Sequence, residues 1–423
     1  MAFAIAFTTY AQRPSAKAEI EQNRFLCASN HLDYDNYPAT EQLTPTPKGY
    51  EMYYLSHYGR HGSRWLLNDN DYMNVIKPLR EGLAEGKLTQ AGIDLLAKME
   101  DFYPCTINRL GDLTTVGERQ HHGIGRRMTE HFPDFFATKN LLVDARSTVV
   151  IRCILSMTAE CEELAAYNPT VRIHNDVSES LQYYLNSPWR GLVRENGGKG
   201  RDAIDSYREK LTHPDRVLSI LFNDKSWTDE HVKGKSYVRN LFHVATNMQS
   251  HDKYEDILDL FTAEECYDLW RIQNISWYVR YGPSPLTSSV MPFSQRNLLK
   301  NIIETADTVT TKQATLRFGH EVCVMPLACI LELGNCAKQV ENLDTLDNVW
   351  RNYDIFPMAC NVQLAFYRPK KGRDGDILVK ALLNERETTL PVPTENFPYY
   401  KWKDLRDFYL DKIARYDERN TEN

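Results

Sequence analysis

Six short apolar segments separated by other patterns constrain what this chain can fold into. Residues 50–55, 141–145, 170–174, 314–318, 361–367 and 377–383 read as strands, and helix-like spacing lies between most of them. Such alternation predicts an α/β core, a mostly parallel sheet flanked by helices. The last two segments flank the turn-like cluster Lys370-Lys371-Gly372-Arg373-Asp374-Gly375, so they read as a hairpin at a sheet edge. Just past the first strand stands Arg60-His61-Gly62-Ser63-Arg64. Open α/β sheets hold ligands at strand ends. Arginine's planar fork of donors matches phosphate oxygens two at a time. A histidine between two such arginines points to a phosphoryl group held by guanidiniums and attacked by an imidazole. Taken alone, the pentapeptide reads equally well as a solvated basic turn.

Three further segments follow: Leu113-Thr114-Thr115-Val116-Gly117-Glu118-Arg119-Gln120-His121, Arg146-Ser147-Thr148-Val149-Val150-Ile151-Arg152, and Arg317-Phe318-Gly319-His320-Glu321. In this order, the four segments resemble the histidine acid phosphatases. That branch of the histidine phosphatase superfamily includes phytases, glucose-1-phosphatase and multiple inositol polyphosphate phosphatase. The resemblance runs from Tyr50 to Leu333. It implies a phosphoglycerate mutase-like core with an inserted helical cap over the phosphate pocket, and neither metal nor cofactor.

By the same resemblance, His61 is the nucleophile that becomes a phosphohistidine. Arg60, Arg64 and Arg152 clamp the phosphoryl oxygens, and His320 is a further donor. Glu321 protonates the leaving group and then activates water. The chemistry is consistent: surrounding cations disfavour a proton on His61, and a carboxyl partly protonated in mild acid can serve as the acid. An acidic working range is expected. Singly, Arg152 reads as a surface arginine, His320 as a structural histidine, and Glu321 as an acid favoured at a helix start. One departure stands out. Phytases commonly have His-Asp and multiple inositol polyphosphate phosphatases His-Ala-Glu, whereas here Glu321 follows His320 directly and Val322 takes the place of the second group's glutamate. The subgroup and the proton donor stay open.

Length and composition bound the rest. The chain has 423 residues, room for two domains or one large domain with an insertion. A net charge of -7 gives no support to nucleic-acid or membrane-surface partners. No uninterrupted apolar run reaches membrane-spanning length. The nine cysteines form no metal-like cluster and read as buried free thiols. Residues 1–11 are apolar and end in Ala11, which reads as a signal remnant cleaved before Gln12, although the basic start of such a signal is missing. Together with the resemblance, this leads to the expectation of periplasmic or extracellular export.

The expected organisation is core over 12–152, helical cap over 153–310 and core again over 311–423. Cap helices are expected over 153–167, 201–222, 254–280 and 294–308, with a flexible stretch at 195–200. A helix follows Leu113, with Thr115 and Glu118 at capping-box spacing. His121 and His122 on it read as surface residues, and no metal-ligand spacing accompanies the motifs. Zinc-protease, P-loop and G-x-S-x-G signatures are not met. Three substrate readings follow: an inositol polyphosphate; a sugar phosphate or broad range of phosphate esters; and a phosphate ligand bound without turnover. Arg190, Arg194, Lys199 and Arg201 are candidate rim cations for a polyanion.

Overall fold

A computed structural model describes residues 13–36, 42–186, 192, 196, 198–252 and 256–421. The signal-like start, Arg190 and Arg194 lie outside them. An eight-stranded sheet has the order β3-β2-β4-β1-β5-β6-β7, with β8 pairing to β6. The strands are β1 Tyr50–Arg60, β2 Leu142–Ser147, β3 Arg172–Asp176, β4 Gln313–Gly319, β5 Asn361–Pro369, β6 Leu378–Leu383, β7 Arg386–Thr388 and β8 Tyr400–Lys401. Parallel pairing holds for β3-β2-β4-β1. The remaining strands join antiparallel, making the sheet mixed, and β5 and β6 form the expected hairpin. All six strand segments read from the sequence are present.

β1 runs further than its apolar stretch suggests. Ser56 and His57 interrupt the hydrophobic pattern, yet both are buried, and pairing with β4 continues to Arg60 opposite Gly319. Ser56 Oγ accepts from Arg317 Nη1 at 3.0 Å, and His57 Nε2 stands 3.9 Å from Glu160 Oε2. One face packs Leu55, Val143, Leu316 and Phe318 against Ile124, Met128, Met157 and Leu164, which come from the helices Thr115–His131 and Ile151–Tyr167. The other face packs Tyr54 and Tyr58 against the helices Arg296–Thr308, Glu321–Ile330 and Trp402–Thr421.

A third cluster draws mainly on helices and on no strand of the sheet. It joins Val75, Leu79, Leu96 and Phe102 to Leu221, Leu241 and Trp270. The Ile151–Tyr167 helix and β3 belong to the sheet, because β3 pairs with β2. The helices Asp69–Ala84 and Gln90–Phe102, expected in the core, pack with the inserted helices. The expected helix over 201–222 is two, Arg201–Leu211 and Asp215–Leu221, separated at Pro214, where the preceding residue is driven out of helical geometry. The helix expected from 254 starts at Ala263 behind a Thr262/Glu265 capping box.

The Thr115–His131 helix is capped by Thr114, one residue before the expected position. Thr114 Oγ1 accepts from Gly117 N at 3.1 Å and donates to Ser63 O at 3.0 Å. This cap therefore also fastens the loop after β1. Gly62 and Gly117 meet backbone to backbone: a Cβ on Gly62 would lie 2.6 Å from Gly117 Cα, and one on Gly117 would lie 2.7 Å from Ser63 N. Gly117→Ala must push the loop off the helix. We expect a loss of about 2 kcal/mol or more, on the scale of overpacked interiors, read as a lowered urea midpoint.

Candidate active site

Parallel neighbours β1, β4 and β2 end side by side, and the segments leaving their ends build one site. His61 N donates to Gly319 O at 3.0 Å, and Thr148 N donates to Phe318 O at 3.0 Å. β1 thus delivers Arg60, His61 and Arg64. β4 delivers His320 and Glu321 at the start of the Glu321–Ile330 helix, and β2 leads to Arg152 in the first turn of the Ile151–Tyr167 helix. All six residues singled out in the sequence converge here.

His61 is fully buried, and its Nδ1 lies 2.8 Å from Gly62 O. A carbonyl only accepts, so Nδ1 carries the proton and Nε2 presents its lone pair. That Nε2 has no hydrogen-bond partner and stands 3.7 Å from Glu321 Oε2. The His320 ring lies 5.6 Å from that of His61, centroid to centroid. Burial, then Arg152, Arg60, His320 and Arg64, hold the His61 imidazole well below its ordinary range. His320 is lowered to about 4, chiefly by burial against the opposing pull of Glu321.

The guanidiniums are tethered by backbone carbonyls. Arg60 Nη1 donates to Asn30 O at 2.6 Å and Phe356 O at 3.0 Å, Arg64 Nη1 to Trp65 O at 2.9 Å, and Arg152 Nη1 to Gly111 O at 3.3 Å. Arg60 Nε and Nη2, Arg64 Nε and Arg152 Nε are buried without hydrogen-bond partners. Arg60 Nε nevertheless lies 3.2 Å from Glu321 Oε2. Burial pushes the Glu321 carboxyl up, but Arg60, Arg64 and His320 outweigh it and hold the group down at about 2. The expected partly protonated carboxyl is therefore ionised in this ligand-free arrangement.

One ligand atom each from His61, His320 and Glu321 falls within a 4.8 Å cluster. Linear spacing hid this grouping, because separate strands bring its members together. Spacing alone admits a cation, but the three guanidiniums around it favour an anion. The arrangement can grip a phosphoryl group by unpartnered donors and place it against a neutral imidazole.

Sequence reading passed over several supporting residues. Gln120 Oε1 accepts from Ser63 N at 2.9 Å, and its Nε2 donates to Ser63 Oγ and to Asp33. Ser156 Oγ accepts from Gly62 N at 3.1 Å, and Asn247 Nδ2 donates to Arg64 O at 3.1 Å. Thr148 Oγ1 lies 3.3 Å from His320 Nε2. The "QH" pattern and the helical spacing of Arg152 and Ser156 were the available signals. His121, read as a surface residue, is fully buried, whereas His122 is partly exposed. The Val116, Ile124 and Met128 stripe turns that side of the helix onto the sheet, and His121 goes with it. None of the nine cysteines forms a disulfide among the described residues, and eight are buried.

No family model and no curated protein sequence matches the chain. Solved structures do. Multiple inositol polyphosphate phosphatase of Bifidobacterium longum, in complex with inositol hexasulfate, superposes with a TM-score of 0.74 at 16% identity over 90% of this chain and 97% of that one. The phytase of D. castellii gives 0.71 at 15% identity, over 92% and 85%. Hafnia alvei phytase in complex with myo-inositol hexakis sulphate gives 0.54 at 12%, over 86% and 98%. The fold is that of the histidine acid phosphatases. Within that class, the structures it superposes on are an inositol polyphosphate phosphatase and phytases.

The buried histidines tie stability to pH. His61, His320 and His57 have folded-state pKa values below the ordinary 6.5, the last two at about 4. Between pH 6.5 and 4 the unfolded chain binds protons that the native chain refuses, so stability falls as pH falls. Glu321 adds loss only below its ordinary 4.5. Urea midpoints should decline from pH 7 to pH 4.5, and His320→Gln should shrink the slope by up to about one proton.

Proposed function

We propose that this protein is a phosphomonoesterase that works through a phosphohistidine on His61, without a metal ion, with inositol polyphosphates as the leading substrate class. The observation that carries the reading is the neutral imidazole, its Nε2 unpartnered and ringed by the free donors of Arg60, Arg64 and Arg152. Phosphate-ester hydrolysis demands neutralised phosphoryl charge and a nucleophile that survives among cations. Attack by Nε2 displaces the alcohol, Glu321 gives it a proton, and water then releases phosphate with Glu321 as base. The substrate class is supported by the inositol hexasulfate and myo-inositol hexakis sulphate complexes of the Bifidobacterium longum and Hafnia alvei proteins. Export is part of the proposal and rests on the apolar start and the resemblance.

Glu321 can act as an acid only once its pKa rises. A phosphate dianion on Arg60 and Arg64 cancels the charges that hold it down, so substrate binding itself supplies the proton affinity.

A second reading has an observation in its favour. Leu67 Cδ2 and Arg152 Nη1 would both lie within 3.4 Å of a Cβ on Gly111, and Leu67 and Ile151 are 47% and 65% exposed. An apolar edge beside Arg152 suits a sugar phosphate or a broad range of esters better than a fully phosphorylated ring.

His61→Ala should abolish turnover with the fold intact, and quenching without acid should trap an acid-labile phosphoenzyme in the wild type, both in excess chelator. Turnover by the alanine variant, or loss on chelation that a metal restores, would sink the mechanism.

Glu321→Gln should slow inositol hexakisphosphate hydrolysis by ~10²-fold or more, and nitrophenyl phosphate hydrolysis far less, because nitrophenolate leaves without a proton. Arg152→Ala should slow both alike, because it meets the phosphoryl group and not the leaving group. Equal losses in Glu321→Gln would assign the proton to another group.

A further inference from the structure

His121 has no part in the proposed chemistry, yet its imidazole is fully buried and its Nδ1 donates to Glu160 Oε1 at 2.6 Å. Across the same carboxylate, His57 Nε2 stands 3.9 Å from Oε2. Glu160 is also fully buried, and the Phe318 ring lies against both imidazoles, at 5.3 Å and 6.0 Å. The three residues come from three elements: β1, the Thr115–His131 helix and the Ile151–Tyr167 helix. Those elements deliver His61, Gln120 and Arg152 to the site.

Arg152, Ser156 and Glu160 are spaced four apart, along one face of their helix. Ser156 Oγ donates to Arg152 O at 2.8 Å and accepts from Gly62 N, whose carbonyl fixes the His61 tautomer. Small residues clear the way. A Cβ on Gly125 would meet Glu160 Cα at 3.1 Å, and one on Gly59 would meet His57 Cε1 at 2.7 Å. Apolar side chains would join two helices and a strand as firmly, because burying a carboxylate costs several kcal/mol before its partners repay it. What a charge-assisted hydrogen bond adds is direction.

We infer that Glu160, hydrogen-bonded to His121 and packed beside His57, is a positioning residue that sets the Ile151–Tyr167 helix against β1 and so keeps Arg152 and Gly62 in register with His61. The inference rests on the phosphatase reading, but inorganic phosphate binding tests it apart from turnover. Glu160→Ala should lower kcat for nitrophenyl phosphate at least ~10-fold and weaken inorganic phosphate binding, by calorimetry, to a similar degree, since misplacement by ~1 Å costs on the order of 10²-fold. Glu160→Gln keeps the acceptor for His121 and should recover both to within about threefold. Leu164→Ala, one turn along the same helix and buried, controls for lost stability and should leave both within about twofold.

Should Glu160→Ala fail to fold, His121→Phe, which keeps a ring against Phe318, is expected to give the same two losses. The idea is overturned if Glu160→Ala or His121→Phe stays within twofold of wild type in both measurements. It is equally overturned if Leu164→Ala loses as much, or if Glu160→Gln recovers nothing. A wild type that binds phosphate without turning over any ester defeats the phosphatase reading, and the phosphate affinities of the variants then decide the positioning role.

Discussion

Everything about this site depends on how three guanidiniums are held, two of them buried and that of Arg152 half-buried. A buried cation must be paired or hydrogen-bonded, and the usual partner is a carboxylate. Here the partners are mostly main-chain carbonyls, of Asn30, Phe356, Trp65 and Gly111. A carbonyl orients an N–H without cancelling the charge. Among the described residues, Glu321 is the one carboxylate within ion-pair distance, and it lies 3.2 Å from Arg60 Nε. The positive field therefore stays available to a ligand, and burial together with the same field disfavours a proton on His61. Carboxylate partners for all three arginines would have spent that field inside the protein.

Those carbonyls come from distant parts of the chain, which explains the way the fold is divided. Asn30 lies in the lead-in, Gly111 in the loop before the Thr115–His131 helix, and Phe356 just before β5. The sheet supplies the register of the strand ends, and the segments around it supply the orientation of the cations. The helical layer packs Asp69–Phe102 against helices from 201–281. The loop that carries Arg64 is pinned from both sides, by Gln120 on Ser63 and by Asn247 on Arg64.

Strands and motif residues were legible because each rests on local chemistry: apolar runs, turn residues between them, arginines beside a histidine. What stayed illegible depends on partners far along the chain. β1 looked six residues long because Ser56 and His57 break its pattern, and only burial between β4 and β5 shows why polar residues are tolerated. His121 looked exposed because its partner Glu160 lies on another helix. The Thr114 cap was missed by one residue because Thr114 and Thr115 offer the same hydroxyl, and the choice is made by Ser63 O, which only Thr114 reaches. The grouping of His61, His320 and Glu321 is likewise invisible to spacing rules, which see ligands only along one segment.

The proton donor shows how far sequence chemistry reaches. A glutamate beside a histidine suggests an acid, and an isolated buried carboxyl would indeed have a raised pKa. The same burial brings Arg60 and Arg64 close enough to reverse the sign, and the group rests at about 2. An acid held that low gives no proton to a leaving alkoxide. The arginines that disable it are the ones a phosphate neutralises, so the arrangement makes acidity conditional on ligand. Glu321 Oε2 stands as a counter-charge 3.2 Å from Arg60 Nε. Once a phosphoryl group arrives, the carboxylate loses that partner and gains an anionic neighbour, and both changes raise its affinity for a proton. On the proposed mechanism, the side chain that pairs with Arg60 would also supply the proton once a phosphate sits on the arginines.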